Sequence, residues 1–185
     1  MLASATTERI REDAKGLDTL PLREVALRLH AGQSAALQAL EPALGGIVDA
    51  AAVMAETVSH GGTLIYAGAG SSGLMAAADA MELAGTFGIA TSQVRVLMPG
   101  GLPTDATLPG DVEDSVDGAT SDARMITPDD AVIVVTASGR TPYALTMARI
   151  AADIGAATIC LANNPDAPIF AHARIPVCLP TAALV

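Results

Sequence analysis

One pattern constrains the fold of this 185-residue chain more than any other: a short apolar run, then a loop rich in glycine and hydroxyl groups, then an amphipathic helix. The pattern starts at residues 63–68 and again at 131–139, and further apolar runs cover 94–100, 158–164 and 174–180. These runs are uniformly apolar rather than alternating, which indicates strands that are buried on both faces. We therefore predict an α/β fold, with a doubly wound, mainly parallel five-stranded sheet flanked by helices.

Residues 1–60 are predicted to form an N-terminal helical segment that packs on the sheet domain, residues 61–185. One helix starts at Pro21, and a longer one starts near Ser34. The longer helix carries an apolar stripe at alternating steps of three and four residues: Leu37, Leu40, Leu44, Ile47, Ala51, Met54 and Val58. We interpret the stripe as packing against the chain's own core, and a dimer seam is the alternative.

The last predicted strand ends a few residues before the sequence stops at Val185. A doubly wound sheet needs helices over both faces, and no helical pattern follows this strand. The sheet domain is therefore expected to lack a C-terminal covering helix. The N-terminal helices, a second subunit or a longer chain would have to cover the strand instead.

Composition excludes several classes of protein. Twenty acidic residues oppose ten basic ones, which gives a net charge of −10, and Lys15 is the single lysine. This balance argues against a surface that binds nucleic acid. The first twenty residues lack the apolar core of a secretory signal, and charges and Pro42 interrupt the longest apolar stretch. The two cysteines lack the spacing of a metal site, so we expect a cytoplasmic protein with no metal, nucleic-acid or membrane partner.

Two loops should lie at the carboxyl ends of strands, where open parallel sheets bind their ligands. Residues 68–73, GAGSSG, fit the dinucleotide fingerprint GxGxxG, but residues 98–101 lack the acidic group that this fingerprint expects after the second strand. Hydroxyls, free amides and helix N-termini suit a phosphate or a sugar instead, without any lysine. The candidate binding residues are Gly70, Ser71, Ser72, Thr136, Ser138, Gly139, Arg140 and Thr141.

The two loops resemble those of the sugar isomerase (SIS) domain, a doubly wound fold that binds phosphosugars. More narrowly, five segments resemble the N-acetylmuramic acid 6-phosphate etherases in order and spacing: TLIYAGAGSSG, DAMELAGTFG, VEDS, TASGRTPYA and CLANNPDAPI. The resemblance runs from about Thr7 to the end of the sequence, and TASGRTPY is its most specific segment.

This resemblance implies a phosphosugar lyase that works without a metal or an organic cofactor. The etherases cleave the D-lactyl ether of N-acetylmuramic acid 6-phosphate, giving N-acetylglucosamine 6-phosphate and D-lactate. A base removes the C2 proton, an acid assists the departure of lactate from C3, and water then adds. The family's acid glutamate matches Glu82 and its base matches Glu113. On residues alone, Glu82 lies near a helix C-terminus, where the dipole disfavours negative charge and so favours an acid.

The resemblance further implies a homodimer with sites near the subunit interface. Ser138 and Thr141, with Thr136, would hold the phosphate, and the first loop would contact the sugar. Two alternatives stay open: a non-catalytic phosphosugar sensor, and a phosphosugar isomerase, which needs a base beside C2 but no acid aimed at a lactyl ether. The chain departs from the etherases at Leu74, where they carry arginine, and it has no counterpart of their C-terminal helical region.

Overall fold

The computed structural model describes residue 7 and residues 14–108 and 112–181. Its helices and strands are, in chain order, α1 (Leu22–Gln38), α2 (Leu44–Ser59), β1 (Leu64–Gly68), α3 (Gly70–Phe87), β2 (Val94–Leu97), α4 (Val116–Asp122), β3 (Ala131–Val135), α5 (Pro142–Ile154), β4 (Ala157–Ala162) and β5 (Ile175–Cys178). A short 3₁₀ helix, Pro168–His172, joins β4 to β5. The described residues do not include most of the first 13 residues of the predicted N-terminal segment, nor the end of the sequence at Val185.

The strands form one parallel sheet in the order β2-β1-β3-β4-β5. Each strand overlaps its predicted apolar run, so the predicted five-stranded, doubly wound sheet is confirmed. The chain leaves β1 through α3 to β2 on one side, whereas β3 pairs with the other side of β1. The strand order therefore reverses between β1 and β3. Ligands of open α/β sheets bind outside the carboxyl ends of the strands at such a switch point.

Both faces of the sheet are buried, which explains the uniformly apolar strands. Along β1, Ile65 and Ala67 pack on the face covered by α4 and α5, whereas Leu64 and Tyr66 pack on the face covered by α2 and α3. Successive side chains of a strand point to opposite faces, so a strand between two helical layers needs apolar residues at every position.

The first two helices differ from the prediction at their junction. α1 continues to Gln38, and α2 starts at Leu44 rather than near Ser34. A 3₁₀ turn, Glu41–Ala43, lies between them and contains Pro42. Proline has no amide hydrogen and its ring clashes with the preceding helical turn, so α1 cannot continue through it. The predicted apolar stripe is therefore divided between two helices.

The two parts of the stripe have different surroundings. Met54 and Val58, in α2, pack against the core between α2 and the sheet. Leu37 and Leu44 are exposed, and α1 contributes no buried residue. The interpretation of the stripe as packing on the chain's own core therefore holds only for Met54 and Val58, in the second half of α2.

α2 also covers the last strand. The backbones approach closely at Gly46, where an added Cβ would lie 3.1 Å from the carbonyl oxygen of Pro176 and 3.7 Å from Val177 Cγ2. An N-terminal helix, α2, thus lies over this face of β5.

By length and composition alone, the stretch Leu22–Ser59 could cross a membrane, since its most apolar 18 residues reach a mean hydropathy of 1.2. Core helices and N-terminal signal sequences meet the same criterion, so it is weak evidence. The stretch is divided by the 3₁₀ turn, carries Asp49 and Glu56, and packs through α2 on the sheet. That packing accounts for Ala50, Val53, Met54 and Val58, whereas the start of α2 stays exposed.

Candidate functional site

The two predicted binding loops follow adjacent strands. Gly68, the last residue of β1, pairs in register with Val135, the last residue of β3. The loops therefore start side by side at the switch point of the sheet. Each leads directly into a helix, α3 or α5, so two positive helix ends border the same crevice.

In the first loop, the glycines mainly allow two backbone segments to pack closely, rather than forming an open turn. α3 starts at Gly70, so much of GAGSSG is already helical, which the sequence did not indicate. An added Cβ on Gly73 would lie 2.7 Å from the Gly68 carbonyl oxygen and 3.1 Å from Met98 Sδ. Only glycine lets the first turn of α3 lie this close to the end of β1.

The serine hydroxyls of this loop are available to a ligand. Ala69 is the N-cap of α3 and makes no side-chain capping bond, so serine capping does not account for Ser71 and Ser72. Ser71 is exposed, Ser72 is half-buried, and neither hydroxyl bonds another described residue. Both hydroxyls lie in the first turn of α3, at the crevice.

The second loop is held by its own hydroxyls. Thr136 is buried, and its Oγ1 accepts a hydrogen bond from the amide of Gly139 at 3.3 Å and lies 3.4 Å from Thr141 Oγ1. Ser138 Oγ accepts from the amide of Arg140 at 3.1 Å. The left-handed conformation at Gly139, with φ of 70°, turns the chain toward α5. These bonds gather three hydroxyls beside the N-terminus of α5.

A cation also borders the second loop. Arg140 is exposed, and its guanidinium makes no ion pair or hydrogen bond with another described residue. Thr141 is the N-cap of α5, and Pro142 takes the first helical position, where no amide is needed. The loop therefore provides three kinds of group that can bind an anion: hydroxyls, a helix N-terminus and one available positive charge.

Glu113 lies between the two loops. Its Oε1 occupies the space that a Cβ on Gly70 would fill, and Gly70 has a φ of 55°. Its carbonyl oxygen accepts a hydrogen bond of 3.1 Å from the amide of Tyr143, in the first turn of α5. The residue thus lies against the first loop through its exposed carboxylate and against α5 through its backbone.

Tyr143 and Asp122 support this arrangement and were missed by the sequence reasoning. Tyr143 is fully buried, and its hydroxyl donates to Asp122 Oδ2 at 2.7 Å, which ties α5 to the end of α4. Burial, and then the carboxylate of Asp122, raise the pKa of Tyr143 above its ordinary value, so the phenol stays a donor. The only sequence signal was the place of Tyr143 in the TASGRTPY segment.

Glu82 is not brought to this crevice within the chain. It follows Gly70 by 12 residues along α3, roughly 18 Å at 1.5 Å per residue. It is exposed, on the side of α3 away from the sheet, opposite the buried residues Ala76, Ala80 and Leu83. The structure thus joins Glu113 to the loops and leaves Glu82 far from them.

A cavity of about 410 Å³ adjoins the site at the carboxyl end of β2. It is lined by residues on both sides of Glu113, including Val112 and Ser115, and by the turn Met98–Gly101. Within residues 14–108 and 112–181 no group of three or more histidine, cysteine, aspartate or glutamate side chains is arranged to hold a metal ion.

Curated relatives resemble the chain along almost all of its length. The N-acetylmuramic acid 6-phosphate etherase of Streptomyces coelicolor is 39% identical over 179 residues, covering 94% of this chain and 56% of the relative. The enzyme of the same name from Geobacillus thermodenitrificans is 36% identical over 175 residues, with 94% and 59% covered. The chain therefore spans somewhat more than half the length of the relatives it matches.

Solved structures share the fold at low sequence identity. A phosphoheptose isomerase from Francisella tularensis matches with a TM-score of 0.59 and 21% identity, over 90% of this chain and 86% of that one. The NanR protein of Vibrio vulnificus, solved with ManNAc-6P, matches with a TM-score of 0.55 and 17% identity, over 93% of this chain and 55% of that one.

A family model agrees with this likeness. The SIS domain model matches residues 30–163, which include β1 to β4 and both loops of the crevice. With the doubly wound parallel sheet, this match establishes that the chain belongs to the SIS domain family.

Proposed function

We propose that the chain is a phosphosugar lyase that cleaves the D-lactyl ether of N-acetylmuramic acid 6-phosphate, giving N-acetylglucosamine 6-phosphate and D-lactate. The similarity to the etherases supports this substrate. One observation carries the proposal: a carboxylate, Glu113, lies against Gly70 of one hydroxyl-bearing loop while its carbonyl bonds the helix that follows the other.

The second loop would bind the phosphate monoester. Ser138 and Thr141, with Thr136 and nearby amides, would hydrogen-bond its oxygens at the N-terminus of α5. Gly139 gives the turn its shape, and Arg140 would supply a positive charge at the rim. In the first loop, Gly70, Ser71 and Ser72 would contact the sugar.

Glu113 would be the general base. The open-chain aldehyde makes the C2 proton acidic, and the carboxylate would accept that proton while the bond between C3 and the ether oxygen breaks. Lactate leaves with the electron pair of that bond and takes a proton from an acid. Water then adds across the C2–C3 double bond, so atoms and charge balance without a metal or an organic cofactor.

Glu82 would be that acid, and the distance along α3 requires it to come from another subunit. We therefore include a homodimer in the proposal, with Glu82 of the partner subunit facing Glu113. The exposed apolar residues of α1 and of the start of α2 support an interface of this kind. A phosphorylated cell-wall sugar is an intracellular metabolite, so we place the protein in the cytoplasm.

The first test is the assay of D-lactate from N-acetylmuramic acid 6-phosphate. We expect release by the purified chain, and a fall in kcat of about 10²–10⁴-fold for Glu113→Gln, since a general base contributes that much. Asp114→Asn is the matched control, because Asp114 is the neighbouring exposed carboxylate, and it should keep kcat within about twofold. A folded protein that binds the sugar phosphate but releases no D-lactate would contradict the lyase proposal.

Subunit mixing tests the second carboxylate. Glu82→Ala and Glu113→Ala proteins should each be inactive, and a refolded equimolar mixture should regain about one quarter of wild-type activity, because half of the dimers carry one intact shared site. If both glutamates acted within one chain, the mixture would stay inactive.

A non-catalytic phosphosugar sensor is the second candidate, and the distance between Glu82 and the crevice favours it. One carboxylate beside a phosphate loop suffices for binding but not for the elimination. Phosphosugar binding that survives Glu113→Gln, without D-lactate release by the wild type, would support the sensor. Conversion of a 6-phosphate aldose to its ketose would instead support an isomerase.

A further inference from the structure

The phosphate-binding loop is held from behind by the segment that follows β4. The carbonyl oxygens of three successive loop residues all accept hydrogen bonds from that segment. Ala137 O accepts from the amide of Asn163 at 2.9 Å, and Gly139 O accepts from the amide of Ile169 at 3.3 Å. The side chain of Asn164 supplies the remaining bonds, with Nδ2 at 3.3 Å from Ala137 O and 3.2 Å from Ser138 O.

Asn164 is the one residue among these donors that bonds the loop through its side chain, and it is buried, with 6% of its surface exposed. Its Nδ2 also donates to Thr7 Oγ1 at 3.1 Å, and its Oδ1 accepts from the amide of Thr7 at 3.4 Å. A single carboxamide thus joins the loop after β3, the loop after β4 and a residue 157 positions away in the sequence.

The direction of these bonds matters for an anion. In a trans peptide the carbonyl and the amide of one unit point in opposite directions. The carbonyl of Ala137 points back toward Asn164 and therefore turns the amide of Ser138 toward the crevice, whereas the carbonyl of Ser138 turns the amide of Gly139 toward Thr136 Oγ1, which accepts from it at 3.3 Å. The amide of Ser138 and the loop hydroxyls, rather than carbonyl oxygens, then face the phosphate.

We propose that Asn164 is a positioning residue for phosphate binding: its carboxamide keeps two carbonyls of the loop turned away from the ligand. This inference rests on the proposed function, because it takes a phosphosugar as the ligand. Asn164 acts through the loop, and the proposal requires no contact between its side chain and the sugar.

Asn163 offers a matched control. It is the adjacent residue and the same residue type, and its Nδ2 donates to Leu179 O at 3.1 Å and to Thr181 Oγ1 at 2.8 Å, beyond the end of β5. Its side chain thus makes comparable bonds that lead away from the phosphate loop. Substitution of this side chain leaves its backbone bond to Ala137 available.

The experiment measures the Kd of N-acetylglucosamine 6-phosphate by calorimetry for the wild type, Asn164→Asp, Asn164→Ala and Asn163→Asp, with circular dichroism to establish folding. We expect roughly a tenfold increase in Kd for Asn164→Ala, since a freed loop loses about one hydrogen bond to the phosphate, and a larger increase for Asn164→Asp, which adds repulsion. Asn163→Asp should stay within about twofold of the wild type. In the D-lactate assay, Asn164→Ala should raise KM and leave kcat nearly unchanged.

Two outcomes would overturn the inference. If both folded Asn164 variants bind as tightly as the wild type, the carboxamide does not position the loop. If Asn163→Asp weakens binding equally, the effect is general destabilisation. Asn164→Ser keeps a donor and serves if the other variants do not fold, with a Kd expected between those of the wild type and Asn164→Ala. Failure of the wild type to bind any phosphosugar would instead remove the proposed function, and this inference with it.

Discussion

The two ends of the parallel sheet differ in what their polar side chains do. At the amino end, Asp130 is buried and accepts three hydrogen bonds, from the amide of Thr63 at 2.9 Å and from the amide and hydroxyl of Thr127 at 2.8 Å and 2.9 Å. Gln93 Nε2 likewise donates to the carbonyls of Val58 and Gly62 at 2.9 Å and 3.1 Å. These polar groups are fully engaged by the fold.

At the carboxyl end, several polar groups are not engaged in this way. The hydroxyls of Ser71 and Ser72 and the guanidinium of Arg140 bond no other described residue, and Glu113 is exposed. Buried polar groups are nearly always paired, so groups left open along a crevice at a switch point are available to a ligand. The comparison separates residues that stabilise the fold from residues that we propose bind the ligand.

The largest effect on stability is expected at the amino end. Asp130 is a buried acceptor, and Asp130→Ala removes three part-buried hydrogen bonds at once, so we expect a loss of about 3 kcal/mol in the free energy of unfolding. The folded fraction should keep the wild-type Kd for the phosphosugar. Urea unfolding monitored by circular dichroism measures the first effect, and Asp129→Ala, an exposed neighbour, is the control. An equal loss in both variants would remove the special role of Asp130.

A substitution at the carboxyl end of the sheet should show the reverse, with a large loss of activity and a small loss of stability. Gly70→Ala places a Cβ against Glu113 Oε1 and strains a left-handed residue, so the carboxylate must move. We expect activity to fall about tenfold or more, with a loss of stability of about 1 kcal/mol. Steady-state kinetics and urea unfolding test the two parts, and unchanged kinetics would mean that the position of Glu113 is not critical.

The smallest effect is expected from a substitution in the same helix, α3, at a position outside both groups of polar side chains. Gly85 lies inside α3 with open space around an added Cβ. Gly85→Ala should therefore stabilise the protein by about 0.5–1 kcal/mol without changing kcat or KM. A fall in activity from this substitution would indicate that this part of α3 takes part in the site, as it would near a subunit interface.

The sequence predicts the sheet and the two loops for clear reasons. Strands buried on both faces must be apolar at nearly every position, and glycine and hydroxyl residues favour tight anion-binding turns, so residues 63–73 and 131–141 carry strong local signals. The place of Glu113 depends on a bond to Tyr143, 30 positions away, which no local pattern indicates.

Other features were missed although the sequence carried some signal. α4 has seven residues and one buried position, Ala119, so its apolar periodicity is weak, although Ser115 caps it by accepting from the amide of Gly118 at 3.0 Å. The distance of Glu82 from the crevice follows from helix geometry once α3 is taken to start at the glycine loop. Which copy of Glu82 faces the substrate depends on quaternary structure, which local pattern does not encode.

The central claim is that the loops after β1 and β3 bind one phosphosugar between them. The most direct test is a crystal structure of the chain with N-acetylglucosamine 6-phosphate. We expect the phosphate within hydrogen-bonding distance of Ser138 and Thr141, at the N-terminus of α5, and the sugar beside Ser71 and Glu113. A phosphate bound elsewhere, or a sugar that does not contact the first loop, would contradict the account.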